Sequence, residues 1–143
     1  WTFISSTRIF VASFFGHSYG DADFSDRVAM AAHELLENAA KYSSSMDAPI
    51  RCSFSVEETC VRVEVQNHAH PEHLPVLQED FHAVTQGDPL EIYIQRMQRS
   101  VTSEKSQLGL ARIRYEGDAT LGMTLENDNV IMEAMFTLPE LKG

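Results

Sequence analysis

Residues 33–42 read His-Glu-Leu-Leu-Glu-Asn-Ala-Ala-Lys-Tyr, and on a helix the steps of four and three residues bring Glu34, Asn38 and Lys41 onto one line. A carboxylate, a carboxamide oxygen and an ammonium projecting together are the groups a magnesium-nucleotide site uses. They supply a base for a hydroxyl or water, a hard oxygen ligand for the cation, and a positive charge for phosphate. Val28, Ala31, Ala32, Leu35, Leu36 and Ala39 recur as an apolar stripe beside that line, so the helix packs inward with the polar line at its border. Asn is a poor helix-interior residue, because its side chain competes for backbone hydrogen bonds. Its place at 38 asks for a function. The competing reading is an ordinary amphipathic helix whose Glu, Asn and Lys form a solvated face.

The elements that must position this line follow from periodicity and breakers. Ile9, Phe10, Ala12, Phe14 and Phe15 fit a short helix over Arg8–Phe15 that ends near Gly16, and Asp21 to Asp26 supply capping residues for the main helix, expected from about Asp26 to Ser43. Ser43, Ser44, Ser45, Asp47 and Pro49 break it. Ile50, Cys52, Phe54 and Val56, then Val61, Val63 and Val65, alternate with polar residues around Glu57-Glu58-Thr59, which predicts a β-hairpin with one buried face. Asn67 to Asp88, rich in His, Pro and acidic residues, reads as a long irregular segment. Leu90, Ile94, Met97 and Val101 recur at helical spacing after Pro89, and Leu108 to Tyr115 form one more helix. Leu121 to Leu138 around Asn127-Asp128-Asn129 make a second hairpin. The sum is one α/β (α+β) domain, 1–143, a two-layer sandwich with a mostly antiparallel sheet covered by helices on one face.

Composition narrows the function classes. The chain has 143 residues, 43% hydrophobic and 22% charged, enough to bury a core. Its formal charge is −10, from 21 acidic against 11 basic residues, which opposes contact with nucleic acid or an anionic membrane. No apolar run approaches a membrane span, Ile9 to Phe15 lacks the flanks of a signal peptide, and the chain reads as cytoplasmic. Cys52 and Cys60 fall in neighbouring strands as small apolar residues rather than a disulfide or metal pair. Periodicity assigns Met97, Met123, Met132 and Met135 to the core.

Glu-x-x-x-Asn-Ala-x-Lys-Tyr on a helix, followed by a hairpin, a loop, a Gly-Leu-bearing helix and a last hairpin, resembles the histidine-kinase-like ATPase (GHKL) superfamily with its Bergerat ATP-binding fold. The resemblance spans nearly the whole chain in element order, with residues 33–42 as its most specific part. It implies Mg-ATP as cofactor. Glu34 would activate the attacking water or hydroxyl, Asn38 would hold Mg²⁺, Lys41 would contact phosphate and Tyr42 would flank the site. The family's Asp-x-Gly-x-Gly motif falls on Asn67-His68-Ala69-His70-Pro71. Asn67 accepts without charge, Ala69 replaces a glycine that allows close approach to the base, and Pro71 lacks an amide hydrogen. The glycine-rich phosphate loop corresponds to Lys105-Ser106-Gln107-Leu108-Gly109-Leu110-Ala111, where Gly109 remains, Gln107 replaces a glycine, and Lys105 and Ser106 would contact phosphate directly.

The resemblance therefore implies a regulatory domain similar to the serine kinases that act as anti-sigma factors in bacterial partner switching. It would bind Mg-ATP and act on a partner protein as a serine/threonine kinase or anti-sigma-type regulator. The alternative is a pseudo-ATPase interaction module with a vestigial nucleotide site. A regulatory protein is the expected partner, and a homodimer is a further candidate. His68, His70, Glu72 and His73 raise a zinc reading, but their spacing fits no defensible motif and favours a solvated segment. His33 lacks the dimerisation helix pair that would present a phosphoacceptor.

Overall fold

The computed structural model describes residues 2–45, 47–100 and 108–139. Its elements are α1 (Thr2–Tyr19), α2 (Ala22–Tyr42), β1 (Ile50–Val56), β2 (Cys60–His68), a 3₁₀ turn (Pro71–His73), α3 (Leu74–Thr85), α4 (Pro89–Ser100), α5 (Leu108–Tyr115), β3 (Thr120–Glu126) and β4 (Asn129–Thr137). The strands form one antiparallel sheet in the order β1-β2-β4-β3. Strict alternation sends Val61, Val63 and Val65 of β2 and Val130, Met132, Ala134 and Phe136 of β4 to the inner face, where they are buried. The described helices cover that face only.

Helix α2 is the centre of the helical layer. Asp21 caps it, its carboxylate accepting from the Phe24 amide at 2.9 Å. Phe24 stands edge-on between Phe15 of α1 and Phe136 of β4, joining both helices to the sheet. At the other end Ser43 turns to extended backbone and bridges Ala69, while the Ser44 amide donates to the His68 carbonyl at 2.8 Å. The exit of α2 is thereby stitched to the end of β2.

Several expectations are corrected. Helix α1 runs from Thr2 to Tyr19 and passes through Gly16. Its stop is Gly20, whose φ of +63° suits glycine and whose amide donates to the Gly16 carbonyl. The segment 67–88 is not irregular: β2 continues to His68, and the 3₁₀ turn and α3 follow. Pro71 and Pro75 occupy first-turn positions that need no amide hydrogen, and Leu77 and Val84 bury the inner face of α3. Dense His and Pro content hides that 3.6-residue period. Met97 is exposed on α4, and Met135, one position out of phase with Met132, lies on the outer sheet face with Arg62 beside its sulfur at 3.6 Å. Met132 is buried and Met123 packs against the core. Cys52 and Cys60 are half-buried free thiols, and burial pushes the Cys52 thiol up to about 11.

Helices α3 and α4 are joined by an ion pair between Asp80 and Arg96, both largely withdrawn from water. Removing Asp80 takes a carboxylate away from a largely buried guanidinium. Asp80→Ala is expected to lower unfolding stability by about 3 kcal/mol, read as a reduced urea midpoint at unchanged slope.

Candidate functional site

Glu34 leaves α2 toward α5. Its Oε1 accepts from Arg112 Nη1 at 3.1 Å, and its side chain keeps only 13% of its accessible surface. Arg112 Nε in turn lies 3.1 Å from Glu116 Oε2, and the other Glu116 oxygen accepts from Tyr93 Oη of α4 at 3.0 Å. Arg114, two residues along α5, donates to the carbonyls of Val84 and Gly87 at 2.8 and 2.9 Å. Helix α5 thus reaches α2, α4 and the end of α3. Gly109 permits the approach to α2, since a Cβ there would stand 2.6 Å from Glu34 Oε2.

Asn38 turns toward the sheet, its Nδ2 donating to Met132 Sδ at 3.3 Å. Lys41 turns to water and lies 5.1 Å from the ring centroid of Tyr42. Tyr42 is buried, with His73 edge-on at 5.5 Å. The line drawn by helical spacing therefore divides: Glu34 and Asn38 face protein, and Lys41 faces solvent. Asn67 occupies the next inward position of β2 beyond Val65, which is paired with Met132. Only 5% of Asn67 is exposed, and its Nδ2 has no hydrogen-bond partner among the described residues. A buried amide hydrogen of this kind is costly to leave unpaired. Ala69 is fully buried, its amide donating to the Asp128 carbonyl at 2.9 Å.

Leu108, Gly109 and Leu110 open α5, with Leu110 buried and Leu108 packed at the core edge. Lys105 and Ser106 lie outside the described residues. Among the histidines, His70 Nδ1 accepts from the Glu72 amide, and the His70 and His73 rings lie 5.8 Å apart. Among the described residues no group of three or more His, Cys, Asp or Glu side chains is placed to hold a metal ion. The described helices include none long and apolar enough to cross a membrane.

Burial dominates the electrostatics of Glu34 and raises its carboxyl above the usual value of 4.5. The Arg112 charge opposes that rise, Glu37 adds repulsion, and the His33 charge and Arg112 hydrogen bond draw the value back. The Arg112 guanidinium is held above its ordinary value despite its own desolvation, by the Tyr93 hydrogen bond, Glu34 and Glu116. Sequence reasoning missed Arg112, Glu116 and Tyr93. The one local signal was the spacing of Arg112 and Glu116, which share a helix face.

The described residues form an α+β fold, an antiparallel four-stranded sheet carrying helices on one face, with α2 and α5 meeting at the Glu34 carboxylate. Among solved structures, the SiaB-SiaC complex from Pseudomonas aeruginosa matches at a TM-score of 0.69 with 11% identity, over 95% of this chain and 84% of that one. The catalytic domain of histidine kinase ThkA matches at 0.48 with 14% identity, over 80% of this chain and 68% of that one. A histidine kinase from Burkholderia phymatum matches at 0.46 with 17% identity, over 80% and 51%. No family model matches the chain, and no curated protein matches it.

Two outcomes test this geometry. Gly109→Ala is expected to cost about 1–3 kcal/mol by displacing the Glu34 carboxylate. In a Glu34→Ala background the same change becomes neutral or stabilising by at most about 1 kcal/mol, so a double-mutant cycle by chemical denaturation shows strong coupling. The second concerns pH. Folded Glu34 holds its proton more tightly than the unfolded chain, so its contribution to stability is fullest below pH 4.5 and declines as pH rises through its raised folded value. The melting temperature of Glu34→Gln, relative to the native chain, is therefore expected to increase from pH 4 to pH 7.

Proposed function

We propose that this domain is a regulatory module that takes Mg-ATP between α2, the start of α5 and the end of β2. It then acts on a partner protein as a serine/threonine kinase or anti-sigma-type regulator. The observation that carries this reading is the Glu34 carboxylate, largely withdrawn from water on the helix that bears Asn38 and beside the opening of α5.

The residues present fit the group. Asn67 offers a buried amide hydrogen with no acceptor among the described residues, a suitable contact for a nucleotide base. Asn38 gives its nitrogen to Met132, which leaves its oxygen as the end for a hard cation. Lys41, on the solvent side, is the cation for phosphate, with Lys105 and Ser106 assigned the same role from sequence. When bound, Mg-ATP supplies a terminal phosphoryl group as electrophile. Glu34 accepts the proton of the attacking hydroxyl, a role for which its raised basicity suits it. Arg112, which now pairs with Glu34, is the nearest cation that a phosphate would compete for. A partner protein is supported by the SiaB-SiaC structure, a complex in which one chain shares this fold.

A second reading has its own observation. Glu34 is already neutralised by Arg112 and Ala69 is packed without space, an arrangement that suits a protein-interaction module with a vestigial nucleotide site. A thermal-shift titration separates the two. At a hundredfold excess over Kd a ligand specific for the folded form stabilises it by about 2.7 kcal/mol. Mg-ATP is expected to raise the melting temperature of the native chain and of Glu34→Gln but not of Asn38→Ala, and Glu34→Gln is expected to transfer no phosphate. An unshifted native chain at millimolar Mg-ATP leaves only the vestigial reading.

A further inference from the structure

Helix α1 is apolar on more than the side it buries. Val11 and Phe15 pack it against the core, yet Phe3, Phe10 and Phe14 stand on another side with 87%, 66% and 50% of their surface in water, and Ile9, about a quarter-turn further round, with 72%. Steps of seven and four residues align the three phenylalanines as one stripe. The stripe is ordered by the core: the Phe10 and Phe14 rings stack at 6.1 Å, and Phe14 meets buried Phe15 edge-on at 5.2 Å. Thr2, Ser6, Ser13 and His17 give the helix a polar strip of its own, so the exposed aromatic stripe next to it is a distinct apolar surface that calls for cover.

From these observations we infer that α1 is a homodimer interface, with the Phe3–Phe10–Phe14 stripes of two copies packed against each other about a two-fold axis. Area and charge select a second copy as the occupant. With 150–250 Å² on each aromatic side chain, the exposed face leaves about 500 Å² of apolar surface per copy. Pairing two copies then removes up to about 1,000 Å² from water, the lower bound for a specific interface. The whole chain carries a formal charge of −10, so two copies repel each other over most of their surface. Helix α1 contains no acidic residue; its basic residues are Arg8 and His17. It is a face through which two such acidic bodies can meet. A basic partner would be drawn to the acidic remainder instead. Rings already fixed by Phe15 lose little rotamer freedom on docking. The inference is independent of the nucleotide reading, since neither Glu34 nor Asn38 belongs to α1.

Sedimentation or light scattering of the full chain at micromolar concentration is expected to give twice its 16.1 kDa mass. Phe10→Ser/Phe14→Ser is expected to give the monomer mass with unchanged circular dichroism. Phe10→Glu, which places two carboxylates across the axis, is expected to weaken the dimer at least tenfold even where the double variant folds poorly. A native chain that stays monomeric, with or without another protein captured on α1, overturns the inference. So does a dimer that persists undiminished in folded Phe10→Glu.

Discussion

Helix α2 is enclosed on three sides, and the rest of the structure follows from that enclosure. Helix α1 covers it through Val11 and Phe15, the sheet through Val61, Val63 and Val65, and α5 through Leu110, Ala111 and Ile113. Ala29, Ala31, Ala32 and Ala39 keep its surface thin enough for all three to approach. A helix so enclosed must find partners for its polar groups inside the protein or carry them out to water. Glu34 finds Arg112, Asn38 finds the Met132 sulfur, and Lys41, in the last turn, escapes to solvent.

The Glu34–Arg112 contact couples position to chemistry. Burial makes the carboxyl more basic and the guanidinium opposes that rise, so the placement of α5 sets how good a base α2 presents. Gly109 permits that placement by leaving room for the carboxylate, a role distinct from the loop flexibility for which a glycine at this position would be valued. Arg114 and Tyr93 extend the same dependence to α3 and α4, so a displacement of α5 would be felt across the helical layer.

Most elements were legible in the sequence because their signals are local. Alternation in Ile50–Val65 and Val130–Phe136 gave both hairpins, and the heptad-like apolar stripe gave α2. The failures were also local in cause: His and Pro content disguised α3, Gly16 looked like a stop it is not, and Met135 was assigned to the core although its phase opposes that of Met132. Within the candidate site, the residue types of Glu34, Asn38 and Asn67 were legible, whereas their surroundings were not.

Sequence by itself determined the periods, the capping and the order of elements, because each of these depends on residues a few positions apart. Tertiary structure alone decided that Glu34 would meet Arg112, 78 residues distant. It also decided that the Asn67 amide would be buried without a partner among the described residues and that three phenylalanines of α1 would face water. Each outcome depends on which helix faces are pressed together and which remain uncovered. That selection is made by burial of the whole core at once, and no short stretch of the chain contains it.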